Sequence, residues 1–247
     1  MQLTEELVLK ALANIKIEPR KFAALYVFRS SNDIFKALIV TILTQNTNDK
    51  NALRAYENLI RVAGDITPQR LISIGEDALA NAIKPAGMHR IRARKIIELS
   101  RVILEKYGGD LTWIVDSPLD EARKALLELP GVGEKTADVI LVNLGKPTFP
   151  VDTHITRISI RLGIVKSRNY REIQKAWMGI LTPPDPSKYL EVHLKLIQFG
   201  RDVCRARNPR CDMCGFKEVC NYYMSNVKGE GRSITFIEST PLGMALN

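Results

Sequence analysis

The sequence predicts an all-α protein. Apolar residues recur at helical spacing in one segment after another, start and stop signals bracket those segments, and alternating strand-like runs are scarce. No internal repeat or low-complexity stretch interrupts the pattern. Apolar residues at 45% and charged residues at 26% are the balance of a soluble globular chain. With 247 residues there is enough chain for one large domain or for two smaller ones that share a core.

Taken in order, the N-terminal "MQLTEELVLKALANIKIEPRK" has acidic residues early and lacks a signal-peptide core and cleavage site. No apolar run is long enough to span a bilayer, so a cytoplasmic protein is expected. "SNDIFKALIVTILTQ" places Ser31, Asn32 and Asp33 as candidate caps before an apolar helix. "IRARKIIELSRVILEKYGG" is amphipathic and is stopped by Gly108 and Gly109. In "SPLDEARKALLEL", Ser117 is the expected N-cap and Pro118 the first helical residue, followed by Ala122, Ala125, Leu126 and Leu129 at helical spacing. A Gly turn and a second helix, "EKTADVILVNL", follow. Pro147 and Pro150 then break the chain before "THITRISIRLGI", and Pro183, Pro184 and Pro186 break it again before "PSKYLEVHLKLIQFGRDVC". The last stretch, "VKGEGRSITFIESTPLGMALN", lacks a helical pattern and reads as a loose or partner-docked tail.

Lys and Arg number 36 against 27 Asp and Glu, a formal net charge of +9. Such an excess favours a polyanionic partner, because neutralising phosphates drives non-specific nucleic-acid binding; a basic solvated surface is the plainer account.

All four cysteines, Cys204, Cys211, Cys214 and Cys220, fall within seventeen positions, spaced C-x6-C-x2-C-x5-C. Disulfides are disfavoured in a reducing compartment, so the cluster points to a metal centre. Structural zinc usually pairs two short hooks across a longer separation. Here only the middle pair is hook-like, and four closely wrapped thiolates suit a [4Fe-4S] cluster, with zinc the alternative. Arg205, Arg207 and Arg210 stud the loop between the first two cysteines, where they could meet phosphates or offset the charge of the cluster. A redox role is compatible with this spacing.

The most informative segment is "LPGVGEKTADVILVNLGKPTFPVDTHITR". Gly131 and Gly133 permit a tight turn and close approach, and the helix beginning near Glu134 offers free amides to a phosphate. A purely structural turn would look the same. Lys135 is the sharper clue. The positive end of the helix dipole disfavours an ammonium there, and with partial burial this lowers the pKa and favours a neutral amine that can form a Schiff base. The competing account is a lysine that contacts phosphate or is merely exposed. Asp152 fits an N-cap; near a lysine it could also accept a proton or stabilise an oxocarbenium ion.

"LPGVGEKTA", "VDTHITR" and the cysteine spacing, in that order, resemble endonuclease III, the iron–sulfur branch of the helix-hairpin-helix, Gly/Pro-Asp DNA glycosylases. The resemblance covers roughly residues 25 to 223. It implies two helical lobes: a six-helix barrel with the hairpin over residues 26–146, and an iron–sulfur lobe from 1–25 and 147–223, leaving 224–247 as a tail. DNA would lie in the cleft between the lobes. It implies a bifunctional glycosylase and abasic-site lyase of base excision repair that flips an oxidised pyrimidine from duplex DNA. Lys135 would attack the sugar C1′ and Asp152 would assist base loss, with β-elimination nicking the strand 3′ to the site. "LTQNTND" resembles the segment whose glutamine, here Gln45, fills the space left by the flipped base. "AGMHRIRARK" resembles the wedge loop, here with Met88 as wedge and with His89, Arg90 and Arg92 either touching phosphates or only solvated. A polar helix end for Gln45 and a partly buried core residue for Met88 are the plainer accounts. His154 and His193 are expected to be hydrogen-bonded structural residues. A monomeric, nucleoid-associated protein with no membrane contact follows. The alternatives are a thymine or uracil mismatch glycosylase of the same fold and a non-catalytic DNA-binding or redox-sensing iron–sulfur protein.

Overall fold

The computed structural model describes residues 3–227, so the sequence-predicted tail lies outside the described residues beyond Val227. Thirteen α-helices and four short 3-10 turns make up the described residues, which contain no β-strand. Among them, no helix is long and apolar enough to cross a membrane.

The chain begins in one lobe, builds the other, and returns. Helix α1 (Glu5–Ala11) is followed by α2 (Ala23–Ser31), α3 (Ile34–Thr44), α4 (Asp49–Ala63), α5 (Pro68–Ala82) and α6 (His89–Tyr107). A single turn, α7 (Trp113–Asp116), leads to α8 (Leu119–Leu127) and α9 (Glu134–Asn143). The returning segment is α10 (Thr153–Leu162), α11 (Tyr170–Ile180), α12 (Pro186–Asp202) and α13 (Asn221–Asn226).

Local chemistry sets most boundaries. Asp33 caps α3 by accepting the Lys36 N–H at 3.0 Å. The Asn48 side chain caps α4, which ends at a positive-φ Gly64. Gly108, left-handed at φ 63°, closes α6. One boundary departs from expectation: Ser117 does not cap α8. The preceding turn, α7, ends on Ser117, whose hydroxyl donates to the Trp113 carbonyl at 2.9 Å. This leaves Pro118 in the cap position and Leu119 as the first helical residue. The sequence pattern had no signal for a one-turn helix there.

Two apolar clusters form the core. The first is centred on α3, which is buried on all sides through Leu38, Ile39, Ile42 and Leu43, and it draws in α2, α4, α5, α6 and α8. A helix apolar all round must lie inside such a bundle. The second holds Val8 and Leu12 from the N-terminal segment with Phe149, Ile155, Trp177, Tyr189, Phe199 and Phe216 from the returning chain. The Phe149 ring stacks on Trp177 at 5.8 Å and meets Tyr189 edge-on at 6.1 Å. Gly215 lies against α1 so closely that a Cβ there would sit 2.8 Å from the Ala11 Cα. A third, small cluster of Phe22, Leu25, Leu194 and Ile197 joins α2 to α12. Helix α9 belongs to both large clusters, giving Ala137, Ile140 and Leu141 to the first and Val142 to the second.

Truncating the centre of the first cluster should be costly. Leu38→Ala is expected to lower stability by about 2–5 kcal/mol, read as a shift of the guanidinium midpoint with an unchanged slope.

Candidate active site

The hairpin between α8 and α9 is built by two residues that do opposite things. Val132 is buried in the first core and pins the turn, while Gly131 takes φ 81°, a backbone region that side chains rarely adopt. Gly133 is the N-cap of α9 and has no side chain to occupy the first amides. They therefore remain open toward solvent at the positive end of the helix dipole.

Lys135 is the second residue of α9. The residue as a whole keeps partial exposure, yet protein atoms enclose its amine. Burial holds its pKa below the ordinary 10.5; Asp152 and Asp49 oppose that shift and Arg201 adds to it. Among the described residues the amine makes no ion pair or hydrogen bond.

Asp152 caps α10 by accepting the Ile155 N–H at 2.8 Å. It also lines, with Lys135, a cavity of about 690 Å³ between the two lobes. Both accounts of Asp152 are thus compatible, because a cap engages one carboxylate oxygen and leaves the other. Opposite them lies a pair with no clear signal in the sequence. Arg201, in the last turn of α12, bonds Asp49 at 2.6 Å, and Asp49 also accepts the Ala23 N–H at 2.8 Å. Arg201 further donates to the Lys21 carbonyl and lies over the Phe22 ring. The Arg201 guanidinium therefore offsets part of the effect of Asp49 on Lys135.

Both histidines are hydrogen-bonded and both line the cavity. His193 Nδ1 lies 2.9 Å from the Pro150 carbonyl, an arrangement that requires a proton on that nitrogen. Burial lowers its pKa to about 4, so it is neutral near pH 7. His154 Nδ1 accepts from Arg157, and its pKa is likewise lowered, mainly by burial.

Of the sequence-predicted contact residues, Gln45 lies on the rim of this cavity. Gln45 closes α3 and donates its side-chain amide to the Gly131 carbonyl at 3.1 Å, which ties it to the hairpin. The next residue, Asn46, is exposed and left-handed at φ 54°. Met88 is 53% exposed at φ 47° and starts α6, so it is not a core residue. His89 and Arg90 follow it, partly and fully exposed, with Arg90 in a loose 3.6 Å pair with Asp77. Arg92 corrects the expectation of a phosphate contact. It is buried, and its guanidinium donates to the carbonyls of Ile42, Leu43 and Gln45, serving as a cationic cap for the C-terminus of α3.

Away from this rim, the four cysteines line one small cavity with Arg161, Tyr222 and Tyr223. Burial pushes the Cys214 thiol up to about 11, and each neighbouring thiol opposes the ionisation of the others. Holding four thiolates there needs a cationic centre. No three His, Cys, Asp or Glu side chains among the described residues are placed to hold a single metal ion. Four sulfurs around one cavity are a donor set that suits an iron–sulfur group. Arg161 donates to Cys204 Sγ at 3.3 Å and stacks on Tyr222 at 4.6 Å. Arg205 bonds the Asn208 carbonyl, while Arg207 and Arg210 are exposed.

Two helical lobes, a glycine hairpin at the head of α9 and an enclosed lysine facing an aspartate define the class: residues 39–183 match the model of the HhH-GPD superfamily of base excision DNA repair proteins. The chain is 41% identical over 204 residues to endonuclease III of Thermotoga maritima, covering 82% of this chain and 90% of that one. It is 33% identical over 230 residues to endonuclease III of Sulfolobus acidocaldarius, covering 92% and 100%. Among solved structures, a non-covalent endonuclease III–DNA complex aligns with TM-score 0.72 at 27% identity, covering 90% of this chain and 94% of that one. A trapped endonuclease III–DNA covalent intermediate aligns with TM-score 0.71 at 28% identity, covering 94% and 100%. The chain belongs to the endonuclease III family of that superfamily and is a DNA glycosylase of base excision repair.

The His193 environment sets a pH dependence. In the unfolded chain its imidazole protonates near 6.5, against about 4 when folded. Between those values the unfolded state binds the extra proton, so stability falls as pH drops through that window, by up to about 3 kcal/mol. Chemical denaturation at pH 7 and pH 4.5 should show this loss, and His193→Gln should reduce it.

Proposed function

We propose that this enzyme is a bifunctional glycosylase and abasic-site lyase acting on oxidised pyrimidines in duplex DNA, with Lys135 as nucleophile and Asp152 as its proton-handling partner. The observation that carries this reading is the amine of Lys135, enclosed without an ion pair and facing Asp152 across a cavity that can receive a flipped base. An uncharged amine has the lone pair that attack on C1′ requires. In that step the bond from Lys135 Nζ to C1′ forms as the C1′–N1 bond breaks, and the base leaves with the electron pair and takes up a proton. Asp152, already beside the cavity, stabilises positive charge developing on the sugar and relays the proton lost by the amine. The C1′–O4′ bond then breaks as the nitrogen lone pair forms the iminium, O4′ leaving with that bond's electron pair and taking up the proton held by Asp152. The iminium acidifies C2′, and loss of that proton expels the 3′ phosphate.

DNA as partner is supported by the net charge of +9, by the uncapped amides at the head of α9, and by the likeness to endonuclease III–DNA complexes. Met88 fits an apolar wedge, and Gln45 with the exposed Asn46 beside it fits the space left by the flipped base. Gly131, Gly133, His89, Arg90, Arg205, Arg207 and Arg210 would meet the backbone. Cys204, Cys211, Cys214 and Cys220 would hold a [4Fe-4S] cluster, which anchors the loop bearing those arginines. In this reading residues 26–146 are the barrel domain, and 1–25 with 147–223 are the cluster domain.

Borohydride should trap a covalent complex with abasic-site duplex, and Lys135→Ala should give none. The trapping rate should titrate below pH 10.5, the ordinary value for lysine. Asp152→Asn should slow base excision by about 10²-fold or more under single-turnover conditions. Excision of thymine glycol should exceed that of thymine opposite guanine; the reverse order would favour mismatch repair. Purified protein should be brown, with iron near four per chain; a colourless, zinc-loaded, active protein would overturn the cluster.

A further inference from the structure

Lys135 and Asp152 lie on either side of a link between α9 and α10, and the link is held residue by residue. The Thr148 hydroxyl donates to Asp138 at 2.9 Å. The Phe149 carbonyl accepts from Gln174 at 3.0 Å, and the Pro150 carbonyl is bonded by His193. The Val151 N–H reaches the Tyr170 phenol oxygen at 3.3 Å. Asp152 is the next residue. Four consecutive residues of a segment without secondary structure are therefore fixed by side chains from α9, α11 and α12.

These contacts converge on one carboxylate. Asp138 lies one helical turn beyond Lys135 on α9 and is fully buried. It bonds both terminal nitrogens of Arg123 from α8 at 2.8 Å, and it accepts from Tyr170 at 2.6 Å and from Gln174 at 2.8 Å, both on α11. Burial, then the neighbouring carboxylate, keeps the Tyr170 phenol protonated, so its O–H donates to Asp138 while its oxygen accepts from Val151.

We propose that Asp138 and Tyr170 are positioning residues for the glycosylase step: they measure the gap from Lys135 on α9 to Asp152 on the link, so that the carboxylate faces the amine across the cavity. Among the described residues, Tyr170 is the only side chain that hydrogen-bonds both the Asp138 carboxylate and the residue before Asp152. A bond made merely to glue the lobes together would not need to terminate on that amide. The inference rests on the proposed roles of Lys135 and Asp152. In geometric terms, a side chain displaced by about an ångström from its reacting position can cost a hundredfold in rate.

The test uses the full-length, cluster-containing protein and three variants. Tyr170→Phe keeps the ring and deletes both bonds of the phenol; Val8→Ala weakens the same apolar cluster at a residue that makes no hydrogen bond to the link; Asp152→Asn reports the partner itself. We expect Tyr170→Phe to slow single-turnover base excision about 10-fold or more. Its affinity for duplex containing a tetrahydrofuran abasic analogue should stay within about twofold of wild type, and borohydride trapping at a preformed abasic site should fall much less than excision, because there the base has already left. Val8→Ala should excise at the wild-type rate. The positioning role is overturned if Asp152→Asn loses excision while Tyr170→Phe does not. It is also overturned if Tyr170→Phe loses excision, affinity and trapping together, as a general loosening would. If Asp152→Asn itself retains full excision, the assigned role of Asp152 fails, an outcome distinct from the other two.

Discussion

The structure depends on one shared helix. Helix α9 packs into the first apolar cluster along one flank and into the second at its C-terminal end. Its head carries the hairpin, its second residue is Lys135, and Asp138 sits in its buried middle. Because both cores close on the same ten residues, neither lobe can shift without moving the lysine. A cavity assembled from both lobes thereby acquires a fixed reference axis.

Electrostatics around that axis is arranged to leave one amine uncommitted. Two carboxylates lie near enough to raise the pKa of Lys135, and burial outweighs both. Arg201 contributes by engaging Asp49, so that the acidic residue beside the cavity is occupied elsewhere. The other buried cation–carboxylate pair, Arg123 with Asp138, is closed on itself and on α11. Among the described residues, Arg123 is paired with a carboxylate and buried Arg92 with carbonyls, whereas the enclosed amine of Lys135 has neither, at the place where the proposed chemistry needs a lone pair.

Much of this was legible in the residues, for physical reasons that differ by feature. Helix periodicity and glycine stops depend on neighbours three or four positions apart, so α3, α6, α9 and α12 follow directly from local pattern. The turn before Lys135 reads equally well, since Gly131 is needed by its own backbone angle. Arg92 was misjudged because an exposed arginine and a buried cationic cap look alike in sequence; the carbonyls that distinguish them lie about fifty residues away. Asp49 and Arg201 were missed for the same reason, being 152 residues apart. Ser117 was misplaced because the one-turn helix α7 carries no periodic signal. Asp138 had only the appearance of a polar residue in an apolar helix, and such a residue declares itself through partners that the fold alone supplies.

Among the described residues, four other than glycine adopt left-handed backbone, and three of them, Asn46, Met88 and Asn208, lie on loops proposed to face DNA. Asparagine adopts that conformation readily, so Asn46 and Asn208 suit their positions by local preference, whereas for Met88 it costs on the order of 1 kcal/mol and the tip is held in shape by its surroundings. A tip already shaped before encounter loses little freedom when it enters a duplex. For the proposed encounter with DNA, this weights recognition toward prior order: conformational entropy is surrendered as the chain folds, and less of the entropic penalty of association is left to be met by contacts in the complex.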